Sequence, residues 1–296
     1  MRDKLKRALV LAGLSRSNFV RVVTRLSSER LVALVRSTRS NPVLRILLGP
    51  LLRWLRAGPI TIDAGAAAGL MVATPDIPMA HSQSGLIVRG ALELPVQEAL
   101  RRTLGPGAVL YDVGANIGFF SILGARLVGA QGQVYAVEPA PANASAIRRG
   151  VDANGFGATV TVIEAAAFAS SGRGRLQVVE DASWSKLERS GAHELTEQVI
   201  EVDLIALDER LEADGWRPPD VIKIDVEGAE LDALRGMREL IAAHRPAIIC
   251  ELHDTATGFE ALMSDYGYSV ENLEGPWPLA EAPDQGHALA RPAPTA

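Results

Sequence analysis

The 296-residue chain is 48% apolar and carries a formal net charge of −5. That is ample material for one large α/β domain with an arm, and it excludes the disordered and fibrous classes. Its one cysteine, Cys250, sits in the apolar run PAIIC, which excludes a disulfide framework and a metal–thiolate centre. No apolar run approaches the roughly 18 residues that span a bilayer, and the ALVLAGL patch at 8–14 lacks a cleavage site. A cytoplasmic protein is expected.

Charge divides the chain. Residues 1–58 hold thirteen Lys/Arg against two acids, Asp3 and Glu29, whereas the remainder is acidic. The spacing of Phe19, Val22, Val23, Leu26, Leu31, Leu34 and Val35 favours one helix face, and three helices are predicted in the arm, over 4–14, 18–36 and 43–56. From Pro59 to Glu93 short alternating runs (ITID, GLMVAT, GLIVRGALEL) broken by Gly and Pro predict β-hairpins, followed by a helix over 95–103.

Beyond Gly107 strands and helices alternate. Strands are predicted at AVLYDV (108–113), QVYAVE (133–138), TVTVIEAAA (159–167), VIKIDVEG (221–228) and AIICEL (247–252). Helices are predicted at 119–128, 140–153, 230–243 and 255–266. Shorter strands fall at RLQVVE and QVIEVDLIAL, YSVENL and GHALA form an antiparallel pair, and residues 291–296 form a loose tail. Continuous apolar strands joined by helices imply a mostly parallel sheet covered on both faces. Ligands bind such sheets at the carboxyl ends of the strands, where the strand order reverses.

The turn LYDVGANIGFFS (110–121) departs from the dinucleotide fingerprint. Aligned on Gly114, the position that must let backbone approach a pyrophosphate is Asn116, and the third glycine position is Phe119. Asp112, at the end of the preceding strand, would repel phosphate but suits an ammonium. Glu138 ends the second strand, where a βαβ unit places an acid on ribose hydroxyls. A nucleoside with a cationic amino-acid tail and no phosphate fits both acids, and S-adenosylmethionine (SAM) has that chemistry.

Together, DVGANIGFFS, VYAVEP, DVIKIDVEGAELDAL-RGM and P-AIICELH resemble the FkbM-like class I SAM-dependent methyltransferases over roughly residues 92–290. The resemblance implies a Rossmann-like fold, with Asp112, Gly114, Asn116 and Gly118 in the methionine-side turn and Glu138 on the ribose. Glu164 and Ala165 would lie near the adenine. It also implies a hydroxyl acceptor on a sugar, glycolipid or secondary metabolite, and it leaves residues 1–58 outside.

The stretch IKIDVEGAE brings a second constellation. Lys223 in an apolar strand needs a carboxylate partner, such as Glu251. Asp225 and Glu227 crowd the end of that strand, and ICELHD ends the next with Glu251, His253 and Asp254. A hydroxyl acceptor must lose a proton, and His253 is the base candidate because its ordinary pKa lies near neutrality. Alternatively Asp225, Glu227, Glu251 and His253 hold a divalent cation, or Glu227 and Glu230 only favour a helix N-terminus. His81, His193, His244 and His287 show no comparable clustering.

Two other classes compete: a SAM-binding scaffold without catalysis, and a nicotinamide oxidoreductase, which Asn116 and Phe119 disfavour. The basic arm suits either peripheral contact with an anionic membrane or a helical cap on the acidic domain. It lacks the aromatic interleaving of a nucleic-acid module, so no nucleic-acid partner is expected. Residues selecting the acceptor, Trp184 among the candidates, are expected around 170–196 and in the 59–93 hairpins. Oligomeric state is open.

Overall fold

The computed structural model describes residues 58–75, 84–178, 186–187, 198–281 and 285–293. The arm helices, Trp184, His81 and His193 lie outside these residues.

Among the described residues before the main sheet, the strands are a two-residue antiparallel pair, β1 (Ile60–Thr61) with β2 (Met71–Val72). The predicted strand GLIVRGALEL is instead a short helix, α1 (Ser84–Val88). Ile87 and Val88 enter the core while Leu86 stays exposed, so the short apolar run was ambiguous between the two periods. Gly90 ends this helix with φ 64°, and a Cβ there would stand 2.0 Å from the Ala64 carbonyl oxygen. Helix α2 (Leu94–Thr103) follows, with Pro95 in its first turn, where a missing N–H costs nothing.

Five strands then form a parallel core: β3 (Val109–Val113), β4 (Gln133–Val137), β5 (Val160–Ile163), β10 (Val221–Ile224) and β11 (Ala247–His253). Helix α3 (Phe119–Val128) links β3 to β4, and α4 (Pro141–Asn154) links β4 to β5, ending at Gly155 in the left-handed region. All residues of β3 and β10 are buried, as expected for strands covered on both faces. The seven-stranded order is β12-β13-β11-β10-β3-β4-β5, where β12 is Tyr268–Asn272 and β13 is Gln285–Pro292. Strand β13 pairs antiparallel with both β11 and β12. It takes in Arg291 and Pro292, two residues that the sequence reading left in the tail.

The predicted strand 159–167 is two strands. Its second half, β6 (Ala166–Ala167), leaves the main sheet for a smaller one of order β6-β9-β7-β8, built with β7 (Gly172–Val178), β8 (Lys186–Leu187) and β9 (Gln198–Ile205). After α5 (Asp208–Asp214), the predicted helix 230–243 divides into α6 (Glu230–Arg235) and α7 (Arg238–His244). The break has a cause: Asp208 accepts hydrogen bonds from the Glu239 and Leu240 amides at the start of α7, capping a new helix. Gly236 also lies against Phe168, where a Cβ would meet the carbonyl oxygen at 2.0 Å. Helix α8 (Ala256–Asp265) completes the second face.

One apolar core packs Leu110, Val134 and Ile249 against α2, α3 and α4; the other packs Tyr111, Ile222 and Cys250 against α6, α7 and α8. The chain runs outward from β3 through β4 to β5, then returns to the opposite side of β3 at β10. The reversal opens a crevice at the carboxyl ends of β3 and β10.

Candidate active site

Three segments meet at that crevice: the turn after β3, the end of β4, and the loop after β10. They line a cleft of about 580 Å³, its open mouth included, walled by Gly114, Asn116, Glu138, Asp225 and Glu227, with Ala165, Ala166 and Ala167 as a bed of small side chains.

Gly114 has φ 75°, and a Cβ there would stand 1.7 Å from the Asp225 carbonyl oxygen. The two loops therefore touch through bare backbone, which only glycine permits. Asn116 adopts φ 51°, a region that asparagine tolerates better than most residues. Its amide donates to Glu138 Oε2 at 2.8 Å, and its Oδ1 accepts from Asn143 Nδ2 at 3.3 Å. Gly118 serves packing: its Cβ would meet Ile147 at 3.0 Å, so it brings α3 close to α4 and does not line the cleft.

Glu138 is 5% exposed. The Ala140 amide and Asn143 Nδ2 donate to its Oε1 at 2.9 and 3.3 Å. Burial pushes its carboxyl up to about 7, against these hydrogen bonds, which favour the ionised form. A nucleoside hydroxyl fits this acid, because three of the roughly four acceptor sites of the carboxylate are taken and one is left for a donor. The donor set, the bare backbone and the alanine bed together suit SAM.

The pH dependence follows. Ribose hydroxyls prefer the ionised carboxylate, so SAM affinity rises as pH climbs through about 7 and then levels, with proton release on binding below that point. Glu138→Gln should weaken SAM by about tenfold or more, the worth of a hydrogen bond to a charged group, and abolish the pH dependence. Calorimetric titration at pH 6, 7 and 8 checks both outcomes.

Other expected residues land elsewhere. Asp112 is fully buried and off the cleft wall: it accepts a short hydrogen bond from Ser121, and its Oδ1 is 3.9 Å from Lys223 Nζ. Register explains this, since Lys223 of β10 lies directly beside Asp112 of β3. The near partner of Lys223 is Asp225, at 3.1 Å, rather than the expected Glu251. Burial opposes the Lys223 charge, but Asp225 and Asp112 more than offset it and hold the ammonium above the usual lysine range. Burial also raises the Asp112 carboxyl, against Lys223 and Ser121. Ala165 lines the cleft as expected; Glu164 turns outward and pairs with Arg148 at 3.1 Å.

His253 is enclosed by acids. Its Nδ1 bonds Glu230 Oε1 at 2.9 Å, and its Nε2 lies 3.6 Å from Glu227 and 3.7 Å from Glu251. Burial acts to lower its pKa, but the Glu230 hydrogen bond and the charges of Glu227 and Asp225 carry it to about 9. The surrounding acids thus favour the imidazolium, which weighs against the base role expected of this group. Asp225, Glu251 and His253 do converge, with ligand atoms within 4.8 Å of one another, while Glu227 stands outside that group. The Lys223 ammonium already neutralises Asp225 there, which weighs against a divalent cation at this position.

Two features escaped the sequence reading. Glu230, fully buried, accepts from Gly228 N–H and Thr255 Oγ1 as well as engaging His253, so it anchors the whole acceptor side rather than serving the helix alone. His287, set aside as unclustered, arrives on β13 beside Glu251, with Nε2 3.8 Å from Glu251 Oε2. Neither placement carries a local sequence signal, because both depend on which strands become neighbours.

Residues 112–272, more than half of the chain, match the family described as Methyltransferase FkbM domain. The hexuronic acid methyltransferase AglP of Haloferax volcanii is 32% identical over 146 residues, covering 49% of this chain and 56% of AglP. The antimetabolite synthetase AmbE of Pseudomonas aeruginosa is 29% identical over 238 residues, covering 64% of this chain and 11% of AmbE. The chain thus spans about half of one of these relatives and about a tenth of the other. Among solved structures, the methyltransferase FkbM of Methylobacillus flagellatus aligns at 17% identity with a TM-score of 0.43, over 83% of this chain and 59% of that one. A SAM-dependent O-methyltransferase of Thermotoga maritima aligns at 15% identity and a TM-score of 0.43, over 68% and 66%. With the family's domain extending over residues 112–272 and across the cleft at the switch point, the chain belongs to the FkbM family of SAM-dependent methyltransferases.

Proposed function

We propose that the protein transfers a methyl group to a hydroxyl oxygen of a sugar, glycolipid or other secondary metabolite. The observation that carries this reading is the pair of carboxylates, Asp225 and Glu227, on the cleft wall beyond the methionine-side turn. SAM supplies an electrophilic methyl on a sulfonium. The protein must align the acceptor oxygen with it and take the hydroxyl proton. Glu227 has the simpler claim to the proton, because Asp225 already accepts from Lys223. The His253 imidazolium behind Glu227 contributes charge and position, held by Glu230. The activity in the name of the archaeal relative, methylation of a hexuronic acid, supports a sugar acceptor.

Labelled methyl from SAM, offered to fractionated host extract, should enter a base-stable glycan or lipid fraction. Glu227→Gln should lower turnover by about 100-fold, the usual scale for a proton-transfer group, while SAM affinity stays within a few fold. Label confined to protein or amine fractions would refute the hydroxyl acceptor. Absence of label from every fraction despite SAM binding would favour the scaffold reading.

A further inference from the structure

On the side of Glu251 away from His253 lies a second group of ligand-type side chains that the methyl-transfer chemistry does not use. His287 is 8% exposed, and its Nδ1 is engaged by Glu274. Its Nε2 makes no hydrogen bond, nor does Oε2 of Glu93, the atom it faces at 3.5 Å. The same Nε2 is 3.8 Å from Glu251 Oε2. One atom from each of Glu93, Glu251 and His287 lies within 4.8 Å of the other two. Glu93 reaches this point from a backbone at φ 41°, immediately before α2. The three residues come from the α1–α2 connection, β11 and β13.

We infer that Glu93, Glu251 and His287 form a divalent-cation site, with Glu251 shared between this site and the acceptor side of the cleft. The spacing suits it: two ligand atoms about 2.1 Å from one tetrahedral cation lie about 3.4 Å apart. The supporting shell suits it too, because a metal-bound imidazole ordinarily gives its other nitrogen to a carboxylate, as Nδ1 does to Glu274. An imidazole with two carboxylates and no thiolate favours Mn²⁺, Fe²⁺ or Zn²⁺ over Mg²⁺ or Ca²⁺, which prefer oxygen alone. The Asp225–Glu251–His253 group is the weaker competitor, since its aspartate is already held by the Lys223 ammonium. A cation here draws one oxygen of Glu251 while the other faces His253 at 3.7 Å, which links metal occupancy to the acceptor side.

The test titrates the full chain, stripped with EDTA and dialysed, with Mn²⁺ by calorimetry and by the electron paramagnetic resonance of the bound ion. One equivalent should bind. Glu93→Gln and His287→Gln should each weaken it at least tenfold, and Glu274→Gln by about 10- to 100-fold, as expected of an outer partner. His253→Gln should leave it within threefold. Thermal unfolding of each variant separates lost binding from lost fold; should His287→Gln fail to fold, Glu93→Gln and Glu274→Gln decide. No Mn²⁺ binding at millimolar concentration overturns the assignment, as does binding lost in His253→Gln but kept in Glu93→Gln. Neither readout uses methyl transfer, so that reading stands or falls separately.

Discussion

Gly114→Ala should abolish SAM binding and lower stability by at least about 3 kcal/mol, the range of a severe steric or strain defect. For a domain of this size that corresponds to a fall in Tm of roughly 6–12 °C. Two costs combine. A non-glycine residue at φ 75° costs about 1–2 kcal/mol. The larger part is steric: the new Cβ falls 1.7 Å from the Asp225 carbonyl oxygen, and the obstacle is backbone, which has no rotamer through which to retreat. The turn after β3 must separate from the loop after β10, so the cleft wall opens where the cofactor's tail would lie. Gly69→Ala is the matched control: Gly69 also has positive φ, 78°, but nothing lies within 4 Å of its Cβ position. It should show the conformational cost alone and bind SAM normally. Equal losses in the two variants would show that the contact between the loops has no special weight.

Lys223→Met should cost about 3–5 kcal/mol, the scale for removing one member of a buried ion pair. The lysine is 3% exposed and lies between Asp225 and the wholly buried Asp112. Methionine matches its volume, so packing is largely preserved, including the space above the Phe120 ring that the ammonium faces at 5.0 Å. What remains is two carboxylates without a counter-charge. The sign of the pH dependence follows. Burial already raises Asp112, and losing the ammonium raises it further, so the folded variant binds a proton that the unfolded chain releases at a lower pH. The variant's stability therefore falls as pH rises, and its deficit against the native protein is greater at pH 8 than at pH 5. Adding Asp112→Asn should recover much of the loss, because it removes the buried charge itself. Denaturant unfolding at pH 5, 6.5 and 8 would measure this, and a small deficit independent of pH would contradict it.

The cleft wall formed by β3 and β4 was legible because its signals are local. A glycine turn after an apolar strand and an acid at the end of the next strand are fixed by a single βαβ unit, and Gly114, Asn116 and Glu138 all stand on the wall. Asp112 shows the limit of that reasoning. Strand periodicity located it correctly, but its partner was set by the register of a strand more than a hundred residues away, and Lys223 holds it in the interior. His253 is disfavoured as a base for a related reason: Glu230, Glu227 and Asp225 all come from outside its own strand, and together they reverse the direction that burial alone would give. The division at Gly236 was also decided by tertiary contacts, from Asp208 and Phe168, while the run at 84–88 was too short for its period to be read. Glu93 and His287 lay furthest from view, since nothing near either residue announces that β13 enters the sheet beside β11.

That insertion has a consequence for the order of assembly. Strands β11 and β12 are translated before β13, the strand that lies between them in the folded sheet. Until β13 follows, the nascent domain carries a slot one strand wide, bordered by two open edges, in a form ready to accept any extended peptide of suitable pattern. The Glu251 side stays incomplete until residues 285–292 arrive. Those residues are the keystone of the sheet, and a chain interrupted before them lacks both the strand between β11 and β12 and the imidazole beside Glu251.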